Sequence, residues 1–198
     1  MLELTLALIV FLFPLAYSPG PGNMFFAATG ARFGFAATVP ANAGYHVATW
    51  LVTALMGFGF AAVAQSAPGL FIAIKWAGSA YVLFLAWKLF GAGASDRQAD
   101  AKPAGFASGA LLLVLNPKAY VIIALMFSQF LTGTGLSSTV AILWLSTVFT
   151  LNNLIAFFVW ITVGDTLARR FRDPAHAHHL NRLFGAILGL VAVWMMLS

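Results

Sequence analysis

Residues 105–131 read GFASGALLLVLNPKAYVIIALMFSQFL, an apolar run interrupted midway by Asn116-Pro117-Lys118. Lys118 is its only charge. A charge at bilayer depth costs a few kcal/mol on insertion scales, so membrane helices seldom keep one unless it faces a polar interior. Pro117 removes a backbone donor and frees a carbonyl, which inside hydrocarbon needs another protein partner or water. A charged, broken helix in a membrane points to a transport site.

The membrane assignment follows from the residues around this run. The chain has 198 residues, 62% of them hydrophobic and 8% charged, with a mean hydropathy of +0.94. No soluble domain hides that much apolar surface. A helix crosses about 30 Å of hydrocarbon in about 20 residues. Residues 4–31, 35–64, 70–90, 105–131 and 138–163 are long enough, and 180–197 make a shorter sixth. Period-2 alternation is absent, which excludes a β-barrel reading. The fold class expected is an all-α membrane protein of six transmembrane helices. The first helix reads as retained rather than cleaved, because Glu3 stands where a signal peptide carries positive charge and the first basic residue is Arg32. Zero cysteines exclude disulfides, thiolate metal sites and cysteine nucleophiles.

Orientation follows from the basic residues. With the N-terminus outside, the first, third and fifth loops or their helix ends hold Arg32, Lys88, Arg97, Lys102, Arg169, Arg170, Arg172 and Arg182, eight of the ten Lys and Arg. The opposite loops, 65–69 and 132–137, hold none, so both termini are expected outside the cell's inner membrane. The net charge of +5 and pI near 10.0 are this topology signal plus attraction to anionic lipid, not nucleic-acid binding.

The hydrophilic segment 93–103 reads as a linker between halves at about 1–92 and 104–198 of one transport domain spanning 1–198. Three helices per half force the second half to insert upside down, which predicts an inverted repeat. Lys75-Trp-Ala-Gly78 with Leu83 and Trp87 matches Arg182-Leu-Phe-Gly185 with Leu190 and Trp194 at one constant offset, and Pro21 pairs with Pro117 at a slightly smaller one.

The counterpart of the second break is Ser18-Pro19-Gly20-Pro21-Gly22-Asn23, whose two prolines and two glycines cannot continue a regular helix. The first and fourth helices are therefore expected to be broken at Pro/Gly motifs. Exposed amides at a half-helix start suit a carboxylate, and Lys118 adds a full positive charge. The rival reading of Lys118 is an ammonium that snorkels or pairs with carbonyls at the break. The substrate path is expected to involve Pro19, Gly20, Pro21, Gly22, Asn23, Asn116, Pro117 and Lys118. Asn152 and Asn153 join it from the fifth helix, although adjacent amides cannot share a face. His46, with Asn42 and Thr49 one turn either side, and Asp165 are candidates for proton coupling. A satisfied buried histidine and a solvated aspartate beside Arg169 are the plainer readings.

Four motifs in register resemble the lysine-exporter (LysE) family: Pro19-Gly20-Pro21, the run from Lys75 to Lys88, Leu115-Asn116-Pro117-Lys118-Ala119, and Arg182 to Gly189. The resemblance covers nearly the whole chain. It implies a bacterial inner-membrane exporter of amino acids or related metabolites driven by the proton motive force. One departure is Gly22, which separates the Pro-Gly-Pro from Asn23 and turns Asn23 about its helix.

The rival class is a divalent-metal exporter, with His176, His178 and His179 as a cytoplasmic cluster. Against it, the membrane helices offer no cysteine, a single histidine and no central carboxylate. No cofactor, no metal site and no enzymatic chemistry are expected, since no helix pairs a nucleophile with a base. The partners expected are a small-molecule substrate and the lipid bilayer. The spacings Gly105 to Gly109 and Gly185 to Gly189 suit close helix packing within the chain, with a homodimer face as the alternative.

Overall fold

The computed structural model describes residues 2–66, 102–131 and 137–170, with scattered helical positions between 76 and 90 and between 179 and 196. The described residues are helical and contain no strand. Six helices are resolved along them: α1 (Leu2–Tyr17), α2 (Pro21–Phe33), α3 (Phe35–Ser66), α4 (Phe106–Val114), α5 (Pro117–Phe130) and α6 (Ser138–Arg170).

Proline sets where two of these helices begin. Pro21 opens α2 and Pro117 opens α5, each after a residue in extended backbone, Gly20 at φ −163° and Asn116 at φ −98°. Proline suits the first helical position, where no N–H is needed, and it disfavours helical backbone in the residue before it. The chain therefore turns at each site: α1 and α2 meet at 64°, α4 and α5 at 62°. Helix α2 ends at Gly34, whose φ of +82° and N–H bond to the Gly30 carbonyl close the helix, and α3 starts at the next residue.

By length and composition, 138–168 within α6 suffices to cross a bilayer, and each bent pair does so when taken as one span. At 1.5 Å per residue, α3 and α6 extend about 48–50 Å. The α6 helix runs past the expected end at residue 163, so Asp165 is a helical residue rather than part of a loop. The expected helices at 70–90 and 180–197 are described only at isolated positions. Most of the linker 93–103, and His176 and His178, lie outside the described residues.

Helices α3 and α6 are the struts. Helix α2 lies along α6, and α4 along α3. Glycines permit both approaches: a side chain on Gly109 would strike the Ala41 backbone, one on Gly44 the Phe106 carbonyl, and one on Gly164 the Ala27 carbonyl. In lipid, where apolar surface has little to gain by leaving its solvent, this close packing is what holds helices together. Gly109 and Gly185, the latter against the Phe90 backbone, thus serve contacts within the chain, while Gly105 faces open space.

The two larger buried apolar clusters among the described residues flank the breaks. One joins Met24, Phe26, Tyr45, Leu113, Ala119 and Phe157; the other joins Leu8, Leu12, Ile122, Ile123, Phe127, Leu145 and Phe149. The two helix breaks fall at the boundary between them.

Candidate functional site

At that boundary lies a cavity of about 20 Å³ to which all six helices or their breaks contribute. Helix α1 brings Leu15 and Ala16; the first break and α2 bring Gly20, Pro21, Gly22 and Asn23; α3 brings Tyr45. Leu113 comes from α4, Asn116 from the second break, and Lys118, Ala119 and Ile122 from α5, while α6 supplies Phe149, Asn153 and Phe157. The space holds about one water molecule.

The first break exposes a run of carbonyls, and each finds a donor. Ser18 N–H bonds the Pro14 oxygen at 3.3 Å and Ser18 Oγ donates to the Leu15 oxygen at 3.1 Å. Asn23 Nδ2 turns back across the bend to the Ala16 oxygen at 2.8 Å and the Ser18 oxygen at 2.9 Å. Trp160 Nε1, from α6, donates to the Tyr17 oxygen at 3.2 Å. Lys118 Nζ, from the other break, donates to the Ser18 oxygen and to Ser18 Oγ, both at 2.9 Å, with the Pro19 oxygen at 3.5 Å. Met24 N–H takes the Gly20 oxygen at 2.9 Å. In a low-dielectric interior this satisfaction is what lets an unwound segment exist at all.

Glycine makes room for the ammonium. A Cβ on Gly20 would lie 2.9 Å from Lys118 Cδ and 3.0 Å from its Nζ. At Gly22 a Cβ would meet Phe157 Cζ at 2.7 Å and Tyr45 Oη at 3.1 Å. Gly22 therefore seats an aromatic group in which Phe157 packs on Tyr45, His46 and Phe26, with ring centroids 4.7, 5.0 and 5.1 Å apart.

The second break is closed more locally. Leu115 N–H bonds the Leu111 oxygen, Asn116 N–H the Leu113 oxygen and Ala119 N–H the Asn116 oxygen; Tyr120 Oη donates to the Val114 oxygen at 2.9 Å. The Asn116 side chain donates its Nδ2 to Tyr45 Oη at 2.9 Å. Its Oδ1 is buried without a donor among the described residues.

His46 is buried on α3. Its Nδ1 lies 2.9 Å from the Asn42 carbonyl, which can only accept, so Nδ1 carries the proton and Nε2 offers a lone pair to Asn153 Nδ2 at 3.5 Å. Asn153 in turn lines the cavity.

Several expected site residues are thus brought together: Gly20, Pro21, Gly22, Asn23, Asn116, Lys118 and Asn153 line one cavity. Pro19 contributes its carbonyl to Lys118, and Pro117 fixes the start of α5. Asn152 is buried on a different face of α6, with its Nδ2 unpartnered among the described residues. Asp165 stands beside Gly34, its Oδ1 4.0 Å from where a Gly34 Cβ would be. Twelve residues beyond Asn153 along α6, it is about 18 Å from the cavity's level. Sequence reasoning misses Tyr45, Phe157 and Trp160 as site residues. Tyr45 leaves one signal, a buried phenol that needs a polar partner beside His46.

A larger groove, about 460 Å³, runs between α3 and α6 past Phe35, Val39, Val47, Trp50, Leu154 and Phe158, with Asn42, His46 and Thr150 along it. Its walls are mainly apolar. The central cavity, where both breaks and Lys118 meet, is the candidate site.

The family model described as LysE type translocator matches residues 13–198. The chain belongs to this family. Among its LysE-type relatives, a cysteine/O-acetylserine efflux protein of Salmonella choleraesuis (strain SC-B67) is 31% identical over 183 residues, covering 90% of this chain and 88% of that protein. The protein of the same description in Escherichia coli (strain K12) is 28% identical over 184 residues, covering 90% of each chain. A homoserine/homoserine lactone efflux protein of Salmonella typhimurium is 26% identical, over 89% of this chain and 88% of its own. No solved structure matches. The LysE-type match and the apolar, all-helical architecture make this an integral membrane protein.

Proposed function

We propose that this chain is a secondary transporter that exports small amino acids or amino-acid-like metabolites across the bacterial inner membrane, coupled to the proton motive force. The observation that carries the reading is the meeting of two helix breaks around one cavity whose lining, among the described residues, includes one charged side chain, Lys118. The names of the LysE-type relatives, efflux proteins for cysteine/O-acetylserine and homoserine/homoserine lactone, favour small molecules that carry a free amino group, most of them amino acids.

A substrate carboxylate would sit at the start of α2, where the first-turn amides lack intrahelical acceptors and the helix dipole is positive, with Lys118 beside it. Lys118 is already held by Ser18, so the substrate exchanges one set of oxygens for another and the ammonium is never bare. Because the cavity holds about one water, the site must open to each side in turn. Two inverted three-helix halves, divided at the linker 93–103 and each contributing a break, supply a pivot for that motion. His46 is the proposed coupling group. Protonating its Nε2 would turn away the Asn153 amide that lines the cavity, which links proton binding to the site.

Export would be tested with cells preloaded with a panel of amino acids, including cysteine, O-acetylserine and homoserine. Efflux of at least one that exceeds a control lacking the protein is expected, and no efflux of any would remove the reading. For topology, reporters active only outside the membrane should work when fused after Ser198 and stay silent at Gln98.

A further inference from the structure

We infer that Asn116 Oδ1, held in place by Tyr45, is the acceptor for the substrate's ammonium group, so that the site recognises a free amino group without a carboxylate. This rests on the proposed export function. Asn116 is 4% exposed, and its Oδ1 has no donor among the described residues. A buried carbonyl left unpaired costs about 1–3 kcal/mol, and such an atom in a native structure calls for a reason. The oxygen is not idle through looseness: the same amide is fixed by donating Nδ2 to Tyr45 Oη at 2.9 Å, and Tyr45 is packed edge-on against Phe26 and tilted against Phe157.

The chemistry around it completes the case. Lys118 Nζ and the α2 amides are donors, suited to the negative end of a zwitterion. Among the polar side chains of the lining, Asn116 Oδ1 is the buried acceptor still waiting for a donor, and an alkylammonium is a donor and nothing else. The pocket also lacks an Asp or Glu in its described lining, so an ammonium is held by dipoles and can be released again.

The test uses the purified full-length chain in proteoliposomes, with homoserine against 4-hydroxybutyrate and O-acetylserine against 3-acetoxypropionate, each pair differing in the amino group alone. Wild-type protein should move at least one amino acid and discriminate against its amine-free partner by about tenfold or more. Asn116→Leu should raise the apparent KM for that amino acid by about tenfold more than it affects the amine-free partner, and so erase the discrimination. Asn116→Asp, which restores an acceptor, should recover a KM at or below the wild-type value. Tyr45→Phe, which keeps the ring but frees the amide, should raise KM a few-fold with little change in maximal rate. Equal transport of both members of a pair by the wild type would overturn this assignment while leaving the exporter reading intact, as would an equal loss on both substrates in Asn116→Leu. Transport of no amino acid of the panel, these two included, would remove the exporter reading, and the assignment with it.

Discussion

The two helix breaks are built from the same materials, proline at the first helical position and an asparagine within two residues of it, yet they are closed in opposite ways. Around the first break, Ala16, Tyr17, Ser18 and Pro19 give their carbonyls to Asn23, Trp160 and Lys118, donors from beyond the bend or from other helices. Around the second, Leu111, Leu113, Val114 and Asn116 give theirs to residues within six positions along the chain. The first break depends on the rest of the protein; the other is closed by its own neighbours and so has Asn116 and Lys118 to offer to the centre. An interrupted helix in a membrane needs partners for its freed backbone groups. Where they come from decides which break can move alone.

Substitutions that strip the long-range donors should hurt more than those that strip local ones, and the largest effect is expected at Lys118. Lys118→Met removes a charged donor from Ser18 and Pro19, and hydrogen bonds to charged groups contribute about 1.5–3 kcal/mol. Export should fall by about 100-fold or more. Membrane insertion should persist, because removing an intramembrane charge lightens the insertion cost. Lys118→Arg should keep partial activity at best, since a planar fork replaces a point charge. Efflux assays normalised to protein in the membrane would check both, and full export by the Met variant would break the contrast between the breaks.

Next in size is Gly22→Ala, whose methyl would press on the Phe157 ring at 2.7 Å. Overpacking of this kind costs about 1–3 kcal/mol. Gly20→Ala meets the flexible Lys118 side chain instead. It should cost less stability in a thermal melt in detergent while still lowering export.

Asn23→Ala removes the donor from the Ala16 oxygen, leaving Ser18 to Lys118, and is expected to cost about 1–3 kcal/mol. Smaller still, Trp160→Phe should lose about 1 kcal/mol with the Tyr17 bond, and Tyr120→Phe about half that, because its bond to Val114 is exposed. A Tyr120 variant less stable than the Asn23 variant would reverse the ranking on which the comparison stands.

The breaks are legible in the sequence because proline and glycine act locally: they dictate where a helix cannot continue whatever surrounds it. Lys118 is legible because a charge in an apolar run is conspicuous. The partnerships are not. Sequence alone expects Asn23 on a substrate path; in the structure it lines the central cavity while its amide nitrogen caps α1 from the first turn of α2, a role that depends on the 64° bend. Trp160 reads as packing or an interfacial anchor. Its bond to Tyr17 joins residues 143 positions apart, a distance no local pattern encodes. His46 and Asp165 group as proton-coupling candidates by chemistry alone, and helical rise separates them. Adjacency alone makes the amides of Asn152 and Asn153 point apart; which one faces inward depends on how α6 rotates against α2 and α3.

The central claim, that the two breaks form one site whose motion is export, is open to a direct measurement because the chain contains no cysteine. Ala16 and Ala119 line the same cavity from opposite breaks, and each Ala→Cys change adds a single sulfur. In the doubly substituted protein, a short, reducible bifunctional thiol reagent should bridge α1 to α5 and bring export of the preferred amino acid to background, and reduction should restore it. Failure of the two positions to bridge, or undiminished export by the bridged protein, would contradict the account.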